Sequence, residues 1–175
     1  TTLYRGREAL GENVIIFKDE QYMVNPDLDI WCDAHEFESL AERAQNLSVR
    51  DARTEDLYRR AVDLYQGDFL PLLDNEWISA YREKLSEIYL DSVIGLGRCA
   101  QARRDHKQAL NIYRQALKVD PYREEVHRAI MVSYAEQGEK SKIYAQLKQL
   151  QKLLQDDLGA EPARETMSLV KTLLV

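Results

Sequence analysis

Three apolar positions return at a fixed interval in the second half of this chain, and that interval constrains the fold more than any other feature. Ala109, Tyr113 and Ala116 share one face of a segment that runs into Asp120-Pro121. Ile143, Leu147 and Leu150 repeat them, each 34 residues further on with no gap. Between the two sets, Val126, Ile130, Ser133 and Tyr134 keep three- and four-residue spacing up to Gly138. Such spacing places side chains on one face of an α-helix, where a stripe of them is buried. Proline lacks a backbone donor and cannot continue a helix, so Pro121 reads as a stop.

A period of 34 residues is that of tetratricopeptide (TPR) repeats. The predicted fold class is all-α, with TPR-like antiparallel helix pairs forming a right-handed solenoid behind a short β-hairpin. The rival is a plain helical bundle with coincidental spacing. The second repeat departs from the first, because Ile143 stands where the first has a small alanine. Its closing Pro162 follows Pro121 by 41 residues, which predicts roughly two extra helical turns ending at Leu158-Gly159. Stacked helix pairs leave a concave face that solenoids commonly use to bind proteins.

The remaining chain fits the same class. Residues 3 to 10 read as helix, with Gly11 as the stop. Val14-Ile15-Ile16-Phe17 and Tyr22-Met23-Val24, joined by a short polar turn, read as a hairpin that Asn25-Pro26-Asp27 ends. From Asp33 the pattern is helical, first through Phe37, Leu40, Ala41 and Ala44. Asp51 or Thr54 caps the next helix, which carries Leu57, Tyr58, Ala61, Val62 and Tyr65 and stops at Gly67-Asp68. Phe69-Leu70-Pro71-Leu72-Leu73 is an apolar loop expected to tuck into the core, since exposure is costly. A long helix from about Glu76 to Arg103 follows, striped by Trp77, Tyr81, Leu85, Ile88, Tyr89, Val93, Leu96 and Ala100. Gly95 and Gly97 inside it imply close packing against a neighbour.

Catalytic and metal chemistry finds little support. His35, His106 and His127 are far apart and none pairs with a cysteine at metal spacing, so no metal site is predicted. His127 reads as a packing or hydrogen-bonding residue. Glu124 and Glu125 suit the first turn of a helix, and Cys99 reads as an inert core thiol. Gly138-Glu139-Lys140-Ser141 lacks the glycine spacing and preceding strand of a phosphate loop. The expectation is no enzyme, no cofactor and no metal. Cys32 and Cys99 suggest no disulfide framework and a reducing cytoplasm. No apolar run approaches the roughly 20 residues of a membrane span. With a net charge of −6, the chain is a poor nucleic-acid binder by itself.

Several stretches, in order, carry a family resemblance: Asp29-Ile30-Trp31-Cys32-Asp33 into Phe37-Glu38, Leu64 to Leu70, Trp77 to Leu85, Asp120 to Arg128, and Leu158 to Pro162. Together they resemble the bacterial transcriptional activator domain across residues 28–175. By the same resemblance, residues 1–26 look like the remnant of a winged-helix DNA-binding domain: the end of its recognition helix, then the wing hairpin. Arg5 and Arg7, flanking Gly6, are the DNA-proximal candidates. The chain is then expected to be a piece of a longer cytoplasmic regulator, whose missing N-terminal part supplies DNA binding. The resemblance implies a regulatory domain that contacts a protein partner or pairs with itself as a homodimer, with no membrane role. A general TPR adaptor without a DNA-linked function is the alternative, and an enzyme accessory or ATPase-linked regulator is the third reading. Trp77 and Arg82 carry two readings. They form an interface, or Trp77 fills a structural junction while Arg82 pairs locally; the junction is favoured because Trp77 follows an apolar loop that needs a partner.

Overall fold

The computed structural model describes residues 2–174; Thr1 and Val175, the outer limits of the two expected segments, lie outside the described residues. The chain divides into two compact units, one through Cys32 and one from Asp33.

In the first unit α1 (Thr2–Leu10) precedes β1 (Ile15–Lys18) and β2 (Gln21–Val24), an antiparallel pair in which Ile15 faces Val24 and Phe17 faces Tyr22. Asp19 and Glu20 both take positive φ, 51° and 61°, the conformation that lets a two-residue loop match the strands' twist. The Phe17 and Tyr22 rings meet at 4.8 Å between centroids. Arg7 Nε donates to the Ile15 carbonyl at 3.0 Å and so ties α1 to β1.

The second unit holds α2 (Asp33–Gln45), α3 (Ala52–Leu64), α4 (Glu76–Ala102), α5 (His106–Val119), α6 (Glu124–Glu136), α7 (Lys140–Leu158) and α8 (Arg164–Leu174). Each helix from α2 to α8 packs on its sequence neighbour, and α8 also lies on α6. This is the all-α, TPR-like solenoid that the periodicity predicts. Ala109, Tyr113 and Ala116 and their counterparts Ile143, Leu147 and Leu150 are all buried. Asp51 caps α3, its side chain accepting from the Arg53 amide at 2.9 Å. Gly95 and Gly97 answer to two tyrosines: a methyl group on either would overlap the ring of Tyr58 or of Tyr113. Both rings are buried, so glycine is what lets α3 and α5 approach α4 so closely.

Three expectations need correction. Most of the apolar loop after α3 does not enter the core: Phe69 is half-buried, whereas Leu70, Leu72 and Leu73 are exposed. Trp77 is likewise 63% exposed, and Ile78 takes the buried place beside it. The stripe on α4 is thus turned by one residue at its start, and Trp77 fills no junction. Finally, α7 has 19 residues against 14 in α5, fewer than two extra turns. Gly159 stops α7 in the left-handed conformation, φ 61°, and non-helical residues 160–163 make up the remaining distance around Pro162.

Candidate protein-interaction surface

The loop between α3 and α4 is held from beneath by one side chain. Arg82, one turn and a half into α4, donates from Nε to the Phe69 carbonyl at 3.0 Å and from a terminal nitrogen to the Leu70 and Leu73 carbonyls at 2.9 and 3.1 Å. The Leu73 amide closes a turn onto the Leu70 carbonyl at 3.0 Å. Leu70 itself sits at φ 44°, a conformation that costs a non-glycine residue about 1–2 kcal/mol. A guanidinium offers five donors in a fixed fork, and three carbonyls converging on it hold the chain in that shape. Phe69 anchors the loop's start, its ring meeting Tyr81 edge-on at 5.0 Å. Tyr81 in turn donates to Glu38 at 3.0 Å, which also pairs with Lys84 at 2.5 Å.

With its backbone fixed this way, the loop turns its leucines outward. Leu72 is 95% exposed, the most exposed large apolar side chain among the described residues, with Leu70, Leu73 and Trp77 beside it in sequence. Asp68, Asp74 and Glu76 flank them and are exposed. The result is an apolar knuckle with an acidic rim. An open cleft of about 350 Å³ lies along its base, lined by Phe37, Tyr65, Phe69 and Leu85 among others. Arg82 therefore pairs with the carbonyls of its own loop, and Trp77 stands in solvent.

A second feature lies where α2 ends and α3 begins. A groove of about 660 Å³ is lined by Arg43, Asn46, Leu47, Arg53, Leu57 and Arg60, together with Ala52 and Asp56. Leu57 is buried and Leu47 half-buried, giving an apolar floor under three exposed arginines. Arg60 reaches Glu36 only at 3.5 Å and Asp56 at 3.9 Å, and its side chain stays 52% exposed. Arg53 is engaged by Asp51 at 2.7 Å, and that guanidinium's hydrogen bond brings the Asp51 carboxyl down to about 2. Sequence reading missed this groove because its arginines belong to two different helices and none marks a motif.

The remaining predicted residues have structural duties. Buried His127 lies between the Pro121 carbonyl, 3.0 Å from Nε2, and the Gln146 side-chain amide, 2.7 Å from Nδ1. Desolvation lowers its pKa, so the neutral ring, donating to Pro121 and accepting from Gln146, fits the site. Glu124 does more than suit a helix dipole: its carboxylate accepts from the Ala163 amide and the Thr166 hydroxyl, capping α8 across the unit. Burial pushes the Cys99 thiol up, away from a reactive thiolate. Among the described residues no group of three or more His, Cys, Asp or Glu side chains is placed to hold a metal ion. Arg5 is exposed, and Arg7, half-buried, is the residue bonded to Ile15.

Comparison with known proteins agrees with this architecture. Residues 32–174 match the bacterial transcriptional activator domain family. Among solved structures, Mycobacterium tuberculosis EmbR in complex with a low-affinity phosphopeptide superposes with a TM-score of 0.78 at 18% sequence identity. The match covers 99% of this chain and 46% of the EmbR chain, so this chain spans less than half of that protein. At such identity the likeness shows the fold alone. No curated protein matches the chain.

Proposed function

Because the chain belongs to the bacterial transcriptional activator domain family, we propose that it is the contact-making domain of a longer transcriptional regulator, working in the cytoplasm without catalysing a reaction. The observation that carries this reading is the knuckle at Leu70, Leu72, Leu73 and Trp77. Apolar side chains held out in water by a rigid backbone cost free energy in the isolated chain, and a partner surface recovers it. Trp and Arg are the residue types most enriched in interface hot spots; here Trp77 makes the contact and Arg82 shapes the loop that presents it. The phosphopeptide in the EmbR complex supports protein segments as partners for regulators of this architecture.

In this reading DNA is recognised by a winged-helix domain of which residues 1–26 are the end, and residues 28–175 are the activator domain. Support comes from the order helix, Gly11, hairpin, and from Arg7 linking α1 to β1. Arg5 and Arg7 lie nearest the duplex, contacting backbone rather than bases. No helix among the described residues is long and apolar enough to cross a membrane.

The test places Leu72→Asp in the longer regulator and reads a promoter fusion alongside operator binding and thermal melting. Leu72 is almost fully exposed, so the substitution leaves folding unchanged while activation falls about tenfold or more. Unchanged activation would remove the knuckle from function.

A further inference from the structure

Two exposed features of the unit pair apolar side chains with charges of opposite sign. One is the knuckle, with four exposed apolar side chains inside a rim of Asp68, Asp74 and Glu76. The other is the groove, with an apolar floor at Leu47 and Leu57 beneath Arg43, Arg53 and Arg60. The groove gathers Arg43, Arg53 and Arg60 around Asp56; Asp51 holds Arg53 at 2.7 Å, which leaves Arg43 and the loosely held Arg60 as its available cations in a chain whose net charge is −6. From this complementarity we infer that the occupant of the groove is the Leu70–Trp77 knuckle of a second copy of the same chain. The inference rests on the reading of the knuckle as a contact surface and names its partner.

The two features sit at opposite ends of α3. The groove surrounds its first turns, and the knuckle follows its last. Its 13 residues separate them by about 20 Å along the helix axis at 1.5 Å per residue. A two-fold axis that runs perpendicular to α3 outside the helix, level with its middle and faced by both features, brings each groove to the other copy's knuckle, so both contacts form twice in one closed dimer. The groove's existing ion pairs do not resist the exchange. Arg60 holds Glu36 and Asp56 at long range and half-exposed, and such surface pairs contribute about 0–1 kcal/mol. Arg43 and Arg60 are then free to turn toward Asp74 and Asp68 of the second copy, while leucines cover the Leu47–Leu57 floor.

A nucleic-acid backbone suits the groove less well. Asp56 lines it and Asp51 stands beside it, which interrupts any continuous track of positive charge, and a phosphate ladder has no use for an apolar floor.

Sedimentation of the full chain across the micromolar range tests this with two charge-reversed variants. One carries Arg43→Glu with Arg60→Glu in the groove; the other carries Asp68→Lys with Asp74→Lys in the knuckle rim. The wild-type chain sediments as a dimer that weakens with salt, and each variant alone associates about tenfold or more weakly. Mixing the two variants restores the dimer, since every knuckle then meets a groove of opposite sign, and restoration also shows that both variants are folded. A monomeric wild-type chain overturns the inference, as does a mixture no stronger than its parts. A monomeric chain whose Leu72→Asp variant still loses activation would leave the knuckle's contact role standing and assign it a different protein. Tight, salt-dependent binding of duplex DNA that Arg43→Glu with Arg60→Glu abolishes would assign the groove to nucleic acid instead.

Discussion

Removing the Arg82 guanidinium should loosen the knuckle while leaving the helical core intact. Its three bonds go to the Phe69, Leu70 and Leu73 carbonyls, the first part-buried and the other two exposed. A hydrogen bond with one charged partner contributes about 1.5–3 kcal/mol where water is excluded, and a neutral one about 0.5–1.5. Taking the first near the upper class and discounting the exposed pair gives about 2–4 kcal/mol for the clamp. Leu70 in its left-handed conformation adds pressure to open. The sensitive probe is the Leu73 amide, which donates to the Leu70 carbonyl inside the clamped turn. Each 1.4 kcal/mol is about tenfold, so Arg82→Ala should speed Leu73 hydrogen exchange by about thirty- to a thousandfold. Global melting should move far less, because the buried layer around Tyr113 and Leu150 is untouched. Arg82→Lys keeps the charge but not the fork and should recover only a fraction of the protection. Leu73 exchange within about threefold of wild type in Arg82→Ala would show that the loop holds its shape without the clamp.

Two further perturbations follow from the core. Gly97→Ala gains up to about 1 kcal/mol of helix propensity but drives a methyl group into the Tyr113 ring, which is fully buried and bonded to Gln101 at 3.0 Å. Overpacking of this kind costs about 1–3 kcal/mol, so calorimetry should record a lower melting temperature, and a higher one would mean the ring has room to move. His127 supplies the pH dependence. Its folded pKa lies below the unfolded value of 6.5, so the unfolded chain binds the proton first. Its contribution is complete above pH 6.5 and declines as the pH falls below it, with a slope of up to about 1.4 kcal/mol per pH unit. Denaturant unfolding between pH 7 and 5 should show this slope reduced in His127→Gln, and identical slopes in the two proteins would contradict the assignment.

The helical architecture was legible because it depends on periodicity, which a sequence displays directly. The 34-residue return from Ala109 to Ile143 and the two glycines of α4 each predicted a contact that the fold contains. The surface was less legible, for physical reasons. Apolarity in Phe69–Leu73 shows what exposure would cost, but says nothing about whether a neighbour is present to cover it. Only the donors of Arg82, thirteen residues from Phe69, reveal that the backbone rather than the side chains is being held. At Trp77 the error is one residue of helical phase: successive residues differ by about 100°, so choosing Trp77 instead of Ile78 turned the end of the stripe outward. The arginine groove left no signature because Arg43 lies on α2 while Arg53 and Arg60 lie on α3. Glu124 was read through its own helix alone, although its partners Ala163 and Thr166 are some forty residues away.

We propose a division of labour in which this acidic helical chain contacts proteins and a separate domain contacts DNA. Duplex binding by the longer regulator and by this chain, measured side by side across a salt series, tests it most directly. Only the longer regulator should bind, with affinity falling linearly on logarithmic axes as its phosphate contacts release counterions. Comparable binding by both would contradict it, and would place a DNA-reading surface on the helices themselves.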